Sequence, residues 1–450
     1  MPDLVLAGGT IVTPAGTAVA DVAVSDGRIE RIAPGMGLAA PEVIDASGML
    51  VLAGAIDVHT HLRLPDEIHP DRFRRDTEAA AAGGTTTVLT FNNPGTGISD
   101  DGATSLMRGL DEFRERTAGE SAVDYGLCAV VTGQQAEPLR ELPSLIASGV
   151  PTFKAFMVYD FALPDTTLER VMRTAAENGG MLQLHCEEPG IIEPLIAQCL
   201  AAGDNGPRFH AACRPPEAEA AATRRAIEMA RRAEAPLYIV HLSCEPALEA
   251  VAEAKARGEP VYAETCPHYL ALTDALYADP DDAEVIKRVI SPPLRSSADV
   301  EALWGGLRDG VLDVIGSDHV PDRIDTEKHL PAPPFPQISN GAPGIETLTS
   351  VVYAEGVARG RISVERMTEV ISANPARLFG LPTKGVLEVG RDADLVVWDP
   401  GARRTLHQRD LHHSSDFTPF EGLEVTGAPV HVLTRGRPPG RGRFIERRLG

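Results

Sequence analysis

The chain has 450 residues, 43% hydrophobic and 24% charged, with a net charge of −22 at pH 7. So acidic a balance excludes a polyanion such as nucleic acid as the main partner. No apolar run approaches the ~18 residues of a membrane span, and the opening MPDLVLAGGT has no basic stretch before its short apolar one, so a cytoplasmic protein is expected.

Residues 1–55 read as short strands and turns: DLVLAGGTIVT, then ADVAVSDGRIERIA with Asp26-Gly27 at a hairpin tip, then EVIDASGMLVLAG. Residues 56–380 alternate strand-like and helix-like runs. The strand-like runs are GAIDVHTH, TTTVLTFN, VDYGLCAVV, TFKAFMVY, MLQLHCE, PLYIVHLS, PVYAETCP and VLDVIGSDH. Between them lie helical patterns such as DRFRRDTEAAAAGG and EAAATRRAIEMARRAEA, several closed by glycine. Eight such units predict a (β/α)8 TIM-like barrel. Residues 381–450 return to strands, GVLEVGRDADLVVWDP and FEGLEVTGAPVHVLTRG, and end in the basic tail RGRPPGRGRFIERRLG. Each terminal half is too small to bury a core alone, so the two are expected to join in one small β-sandwich domain. The tail is expected to lie on an acidic surface or a neighbouring subunit.

Barrel strands carry their chemistry at their C-terminal ends. There the apolar runs are broken by His59 and His61, Lys154, His185, His241 and Asp318. In DVHTH, alternation puts His59 and His61 on one face, about 7 Å apart along the strand. One histidine at a strand end is usually a half-buried polar residue. Four histidines, a lysine and an aspartate at one end of one barrel point to metal. Nitrogen and carboxylate donors without thiolate suit zinc, manganese, iron or cobalt, and four histidines with one aspartate exceed one open tetrahedral site, so two ions are expected. Two metals lower the pKa of bound water and polarise the bond under attack. The six cysteines, at 128, 186, 199, 213, 244 and 266, form no CxxC pair, so reduced thiols are expected. Of five lysines, at 154, 255, 287, 328 and 384, Lys154 alone lies in an apolar strand; the other four have polar neighbours in sequence.

The segments DVHTH, FKAFM, LHCE, IVHLS and GSDHVP, with NPARLFGL and GRDADLVVWDP near the end, resemble the amidohydrolase superfamily in its dihydropyrimidinase and hydantoinase branch. The resemblance runs over nearly the whole chain. It implies a hydrolase that opens cyclic amides to N-carbamoyl amino acids with two divalent cations, zinc foremost, bridged by a carboxylated Lys154. His59, His61 and Asp318 would hold one ion, and His185 and His241 the other. Asp318 would take a proton from the attacking water and give it to the leaving ring nitrogen, and Tyr159 would hydrogen-bond the developing oxyanion. Ser291 in SPPLR and Asn340 in SNGAPGIET would hold the –CO–NH–CO–NH– unit. A homotetramer is implied as well.

Some residues depart from the hydantoinase pattern. Arg63 and Asn93 are similar to the arginine and asparagine with which dihydroorotases grip a carboxylate, and TCPHYL is similar to allantoinases, so those two activities are the alternatives. Arg63 is expected either to face the pocket or to pair with Asp66 or Glu67 on the surface. A non-catalytic scaffold would have lost metal ligands, and none of the six positions is substituted. His319, beside Asp318, is expected to support the ligands, and the remaining histidines to be structural.

Overall fold

A computed structural model describes residues 1–37, 39–92, 105–132, 138–329 and 333–450; Asn93 lies outside them. The first five strands are β1 (Leu4–Thr13), β2 (Gly16–Ser25), β3 (Arg28–Ala33), β4 (Glu42–Asp45) and β5 (Leu50–Ala53). The barrel follows with β6 (Ala55–Thr60), β7 (Thr85–Asn92), β8 (Asp124–Val130), β9 (Thr152–Phe156), β10 (Met181–His185), β11 (Leu237–Ile239), β12 (Val261–Thr265) and β13 (Val314–Ile315). Two long strands, β14 (Leu395–Thr405) and β15 (Glu424–Leu433), close the chain.

The eight strands β6 to β13 run parallel in sequence order. Most of their residues are buried, as strands covered on both faces must be, which is why they read as continuous apolar runs rather than alternating ones. The covering helices bury small residues. Pro216–Ala233 starts with proline in its first turn and turns Ala218, Ala222, Ala226 and Ala230 inward. Ser297–Asp309 starts in a capping box between Ser296 and Asp299 and ends at Gly310, where φ is 82°. Between β13 and β6 the barrel closes through residues beyond the short β13. The His61 amide donates to the His319 carbonyl at 2.7 Å, and the Ser317 amide donates to the Asp57 carboxylate at 3.0 Å. These contacts bring the DVHTH strand against the segment carrying Asp318.

Both chain ends contribute to a second, seven-stranded sheet in the order β15-β14-β5-β1-β2-β3, with β4 also on β1. Strand β1 bulges between Leu6 and Gly9 where Gly8 takes φ 70°, so its first half pairs with β4 and its second with β5. A bulged, bent strand folds the sheet over its own core of Leu4, Leu6, Val22, Val24, Val51, Leu395 and Val397. Asp26 and Gly27 both have positive φ, the turn that a two-residue hairpin requires. The pairing of β5 with β14 joins the two ends of the chain.

The basic tail lies along the chain's own barrel. The Tyr125 amide on β8 donates to the Arg443 carbonyl at 2.9 Å, and the Tyr125 carbonyl accepts from the Ile445 amide at 2.7 Å. Arg447 is fully buried and donates to the Phe379 carbonyl at 3.3 Å and the Thr152 hydroxyl at 3.0 Å. Lys328 and Lys384 are buried with Lys154, and Lys384 is paired with Asp124 and Asp394. Polar neighbours along the chain do not determine which side of an element a residue faces. Among the described residues no helix is long and apolar enough to cross a membrane, and all six cysteines are unpaired.

Candidate metal centre

A cavity of about 680 Å³ opens at the C-terminal ends of the barrel strands. It is lined by His61, Arg63, Lys154, Tyr159, His185, His241, Ser291, Asp318 and Asn340, together with Phe91, Phe156 and Phe161. His59 lies under this lining with no exposed surface. The strands aim the groups: His59 is on β6, Lys154 on β9 and His185 ends β10. His241 and Asp318 stand just past β11 and β13 at φ 39° and 49°, and Tyr159 just past β9 at φ 80°. Left-handed backbone at three non-glycine residues is strain that the surrounding fold has to hold in place.

The donors converge. The Nε2 atoms of His59 and His61 lie 3.0 and 3.3 Å from the same Asp318 oxygen. The ring of His241 is 4.5 Å from that of His185 and 5.3 Å from that of His59. The buried His59 Nε2 and Lys154 Nζ have no aligned hydrogen-bond partner. Burial pushes the Asp318 carboxyl up, but the His59, His61 and His241 imidazoles around it outweigh that and hold the group well below the usual carboxylate range. Burial brings the Lys154 amine down to about 8, against the pull of Asp318 and Glu264. Phe91 and Phe156 lie 4.7 and 5.3 Å from that amine. His59, His61 and Asp318 bring one donor atom each within 4.8 Å of one another, a set that fits a divalent cation.

Around these groups is a layer that the sequence motifs did not single out. Glu264 bonds the Nδ1 of His59, which leaves Nε2 for the centre, and the same carboxylate accepts from the Tyr238 hydroxyl at 2.7 Å. Glu187 bonds the Nε2 of His185 at 2.7 Å, which leaves its Nδ1. A carboxylate on the far nitrogen fixes an imidazole's tautomer and orientation. Glu187 also binds Arg214, whose guanidinium lies 5.3 Å from the centre of the Tyr159 ring. Burial would raise the Glu187 carboxyl, but Arg214 and His185 bring it to about 2. His319 supports the ligands through its backbone carbonyl on His61 and through Nδ1, which accepts from the Gly344 amide at 3.1 Å. Glu264 is visible in YAETCP, but nothing local marks it as the partner of a histidine 205 residues away; Glu187 lies two residues from its own partner in LHCE.

The far wall holds Ser291 and Asn340. The Ser291 hydroxyl lies 3.1 Å from His210 Nε2. The Asn340 Oδ1 is buried without a partner. Burial raises the Tyr159 phenol to about 12, with Arg214 opposing, so the group stays protonated as a donor. Arg63 stands at the mouth. It pairs with Asp322 rather than with Asp66 or Glu67, its Nε has no partner, and its side chain keeps 37% exposure.

The amidohydrolase family model matches residues 50–438. A D-hydantoinase of Streptomyces coelicolor is 40% identical over 444 residues, covering 96% of this chain and 93% of that one. The D-hydantoinase structure from Bacillus sp. AR9 superposes with a TM-score of 0.93 at 39% identity, covering 99% of both chains. The dihydropyrimidinase structure from Brevibacillus agri gives 0.92 at 37% identity, covering 99% of this chain and 98% of that one.

Proposed function

Because the chain belongs to the amidohydrolase family, we propose that it hydrolyses the ring amide of hydantoins or dihydropyrimidines to N-carbamoyl amino acids. The observation that carries this reading is the convergence of four imidazoles, one orphaned amine and one carboxylate in a cavity of a size for a small ring. His59, His61 and Asp318 would hold one divalent ion and His185 and His241 the other, with Lys154, once carboxylated, as the ligand shared by both. Zinc is the metal proposed. Two such ions supply a water of lowered pKa and polarise the carbonyl under attack.

The chain's own groups do the rest. Asp318 takes the proton of the attacking water and delivers it to the ring nitrogen that leaves. Tyr159 donates its phenol hydrogen to the oxygen on which charge develops, and its raised pKa keeps that hydrogen in place at alkaline pH. Ser291 and the unpartnered Asn340 Oδ1 hold the ring's amide groups. Tyr159→Phe is expected to lower kcat by about 10² to 10³ with little change in KM, the usual effect of deleting one oxyanion donor. A kcat within threefold of the parent would remove Tyr159 from this role.

Arg63 tunes the substituent. A guanidinium that lines the cavity and keeps 37% exposure at its mouth favours rings whose side arm bears a carboxylate. Arg63→Gln should raise KM about tenfold or more for anionic rings while leaving neutral hydantoins unchanged, as expected for losing one charged contact. An equal loss on both classes would refute the assignment.

Metal analysis and a ring-opening assay test the whole reading. Near two equivalents of metal per chain and turnover of hydantoin, phenylhydantoin or dihydrouracil are expected. Exclusive turnover of allantoin or dihydroorotate would move the substrate to those rings. No metal after supplemented expression, and no turnover, would leave a scaffold. Cytoplasmic residence and a homotetramer belong to the same proposal, supported by the six unpaired thiols and by the family.

A further inference from the structure

Lys328 ends the short helical segment Ile324–Lys328 and has no exposed surface. It does not line the cavity, and the ring-opening reaction does not use it. Its Nζ donates to the Val289 carbonyl at 3.2 Å and to the Ser339 carbonyl at 2.9 Å. The Gly341 amide donates to that same Val289 carbonyl at 2.9 Å. Among the described residues no carboxylate touches the amine. The charge acting on it is Asp322, which Arg63 already engages; His210, kept neutral by burial, lies near it, and the Phe417 ring is 5.7 Å away. Val289, Phe335 and Ile338 form the apolar cluster beside it.

A desolvated ammonium without a contacting counter-charge is costly, and a methionine would fill the same space at less cost. What the amine provides is geometric. Its two acceptors stand two residues before Ser291 and one residue before Asn340, on separate segments that converge on the cavity. The lysine therefore adds a side-chain tie between the two segments beside the backbone bond from Gly341 to Val289. Ser291 is further oriented by His210, which also bonds the Ile290 carbonyl at 3.0 Å.

We propose that Lys328 is a positioning residue that clamps the Ser291 and Asn340 segments at the span of one substrate ring. This rests on the reading of Ser291 and Asn340 as ring-holding groups.

The test compares Lys328→Met and Lys328→Arg with the parent, each as the metal-loaded full chain. In Lys328→Met, KM for the best ring substrate should rise about tenfold or more while kcat stays within about threefold and metal content is unchanged. The Gly341 amide should exchange with deuterium faster than in the parent. Lys328→Arg, which keeps donors for both carbonyls, should recover part of the KM and slow the Gly341 exchange again. An unchanged KM with unchanged exchange would overturn the clamp, and so would a fall in kcat with loss of metal at constant KM. Should the parent open no ring while Gly341 still exchanges faster in Lys328→Met, the functional reading fails and the clamp stands.

Discussion

Lys154→Ala is expected to lose at least about 10⁴-fold in kcat and to fall from two bound metals to at most one, the scale of losing a metal-activated water. The amine is 1% exposed, lies near two phenylalanine rings and has no hydrogen-bond partner, so burial counts against its charged form more than Asp318 and Glu264 support it. That environment favours the neutral form. With the pKa at about 8 in place of 10.5, the free-amine fraction near pH 7 is roughly 300-fold higher. Only the free amine adds to CO2, forming an N-carboxylate and releasing one proton. Reconstitution of metal-free protein should therefore need CO2 and speed up as pH rises towards about 8, because below that value the ammonium predominates. Removing the side chain takes away a desolvation cost, so the melting temperature of metal-free Lys154→Ala should equal or exceed that of the metal-free parent. Two metals and near-parental activity in Lys154→Ala would end the bridging assignment.

The second large effect is expected at Asp318. Asp318→Asn should cost about 10³ to 10⁴ in kcat even with metal in excess, within the range assigned to general acid–base groups once a ligand charge is also lost. The carboxylate is held ionised by His59 and His61 and sits at positive φ, so its position is set by the barrel closure rather than by a rotamer choice. An amide keeps the shape but neither anchors a cation as an anion nor carries a proton to the ring nitrogen. Titration of metal into the variant separates the two roles. Recovery to within tenfold of the parent at saturating metal would leave Asp318 as a ligand only.

Both predictions start from residues that are legible in the amino-acid sequence alone. Strands buried on both faces read as unbroken apolar runs, and a polar side chain ending such a run stands out against it. That is why His59, His61, Lys154, His185, His241 and Asp318 stand out, and why eight repeats of the pattern identify the barrel. The turn at Asp26-Gly27 is equally local, because its backbone conformation is written into two adjacent residues.

Partner choice is not local. Arg63 has acidic neighbours at Asp66 and Glu67, yet its partner is Asp322, 259 residues on, brought close by the closure of β13 against β6. Lys328 and Lys384 have polar neighbours in sequence and are nonetheless buried, because the packing of the 324–328 turn and of the junction between sheet and barrel turns them inward. Glu264 meets His59, 205 residues away, for the same reason. The sequence by itself determined which residue types end which strands, since that follows from a two-residue periodicity and from burial. Only the tertiary structure decided which carboxylate meets which cation, because those distances depend on how eight strands close around one axis.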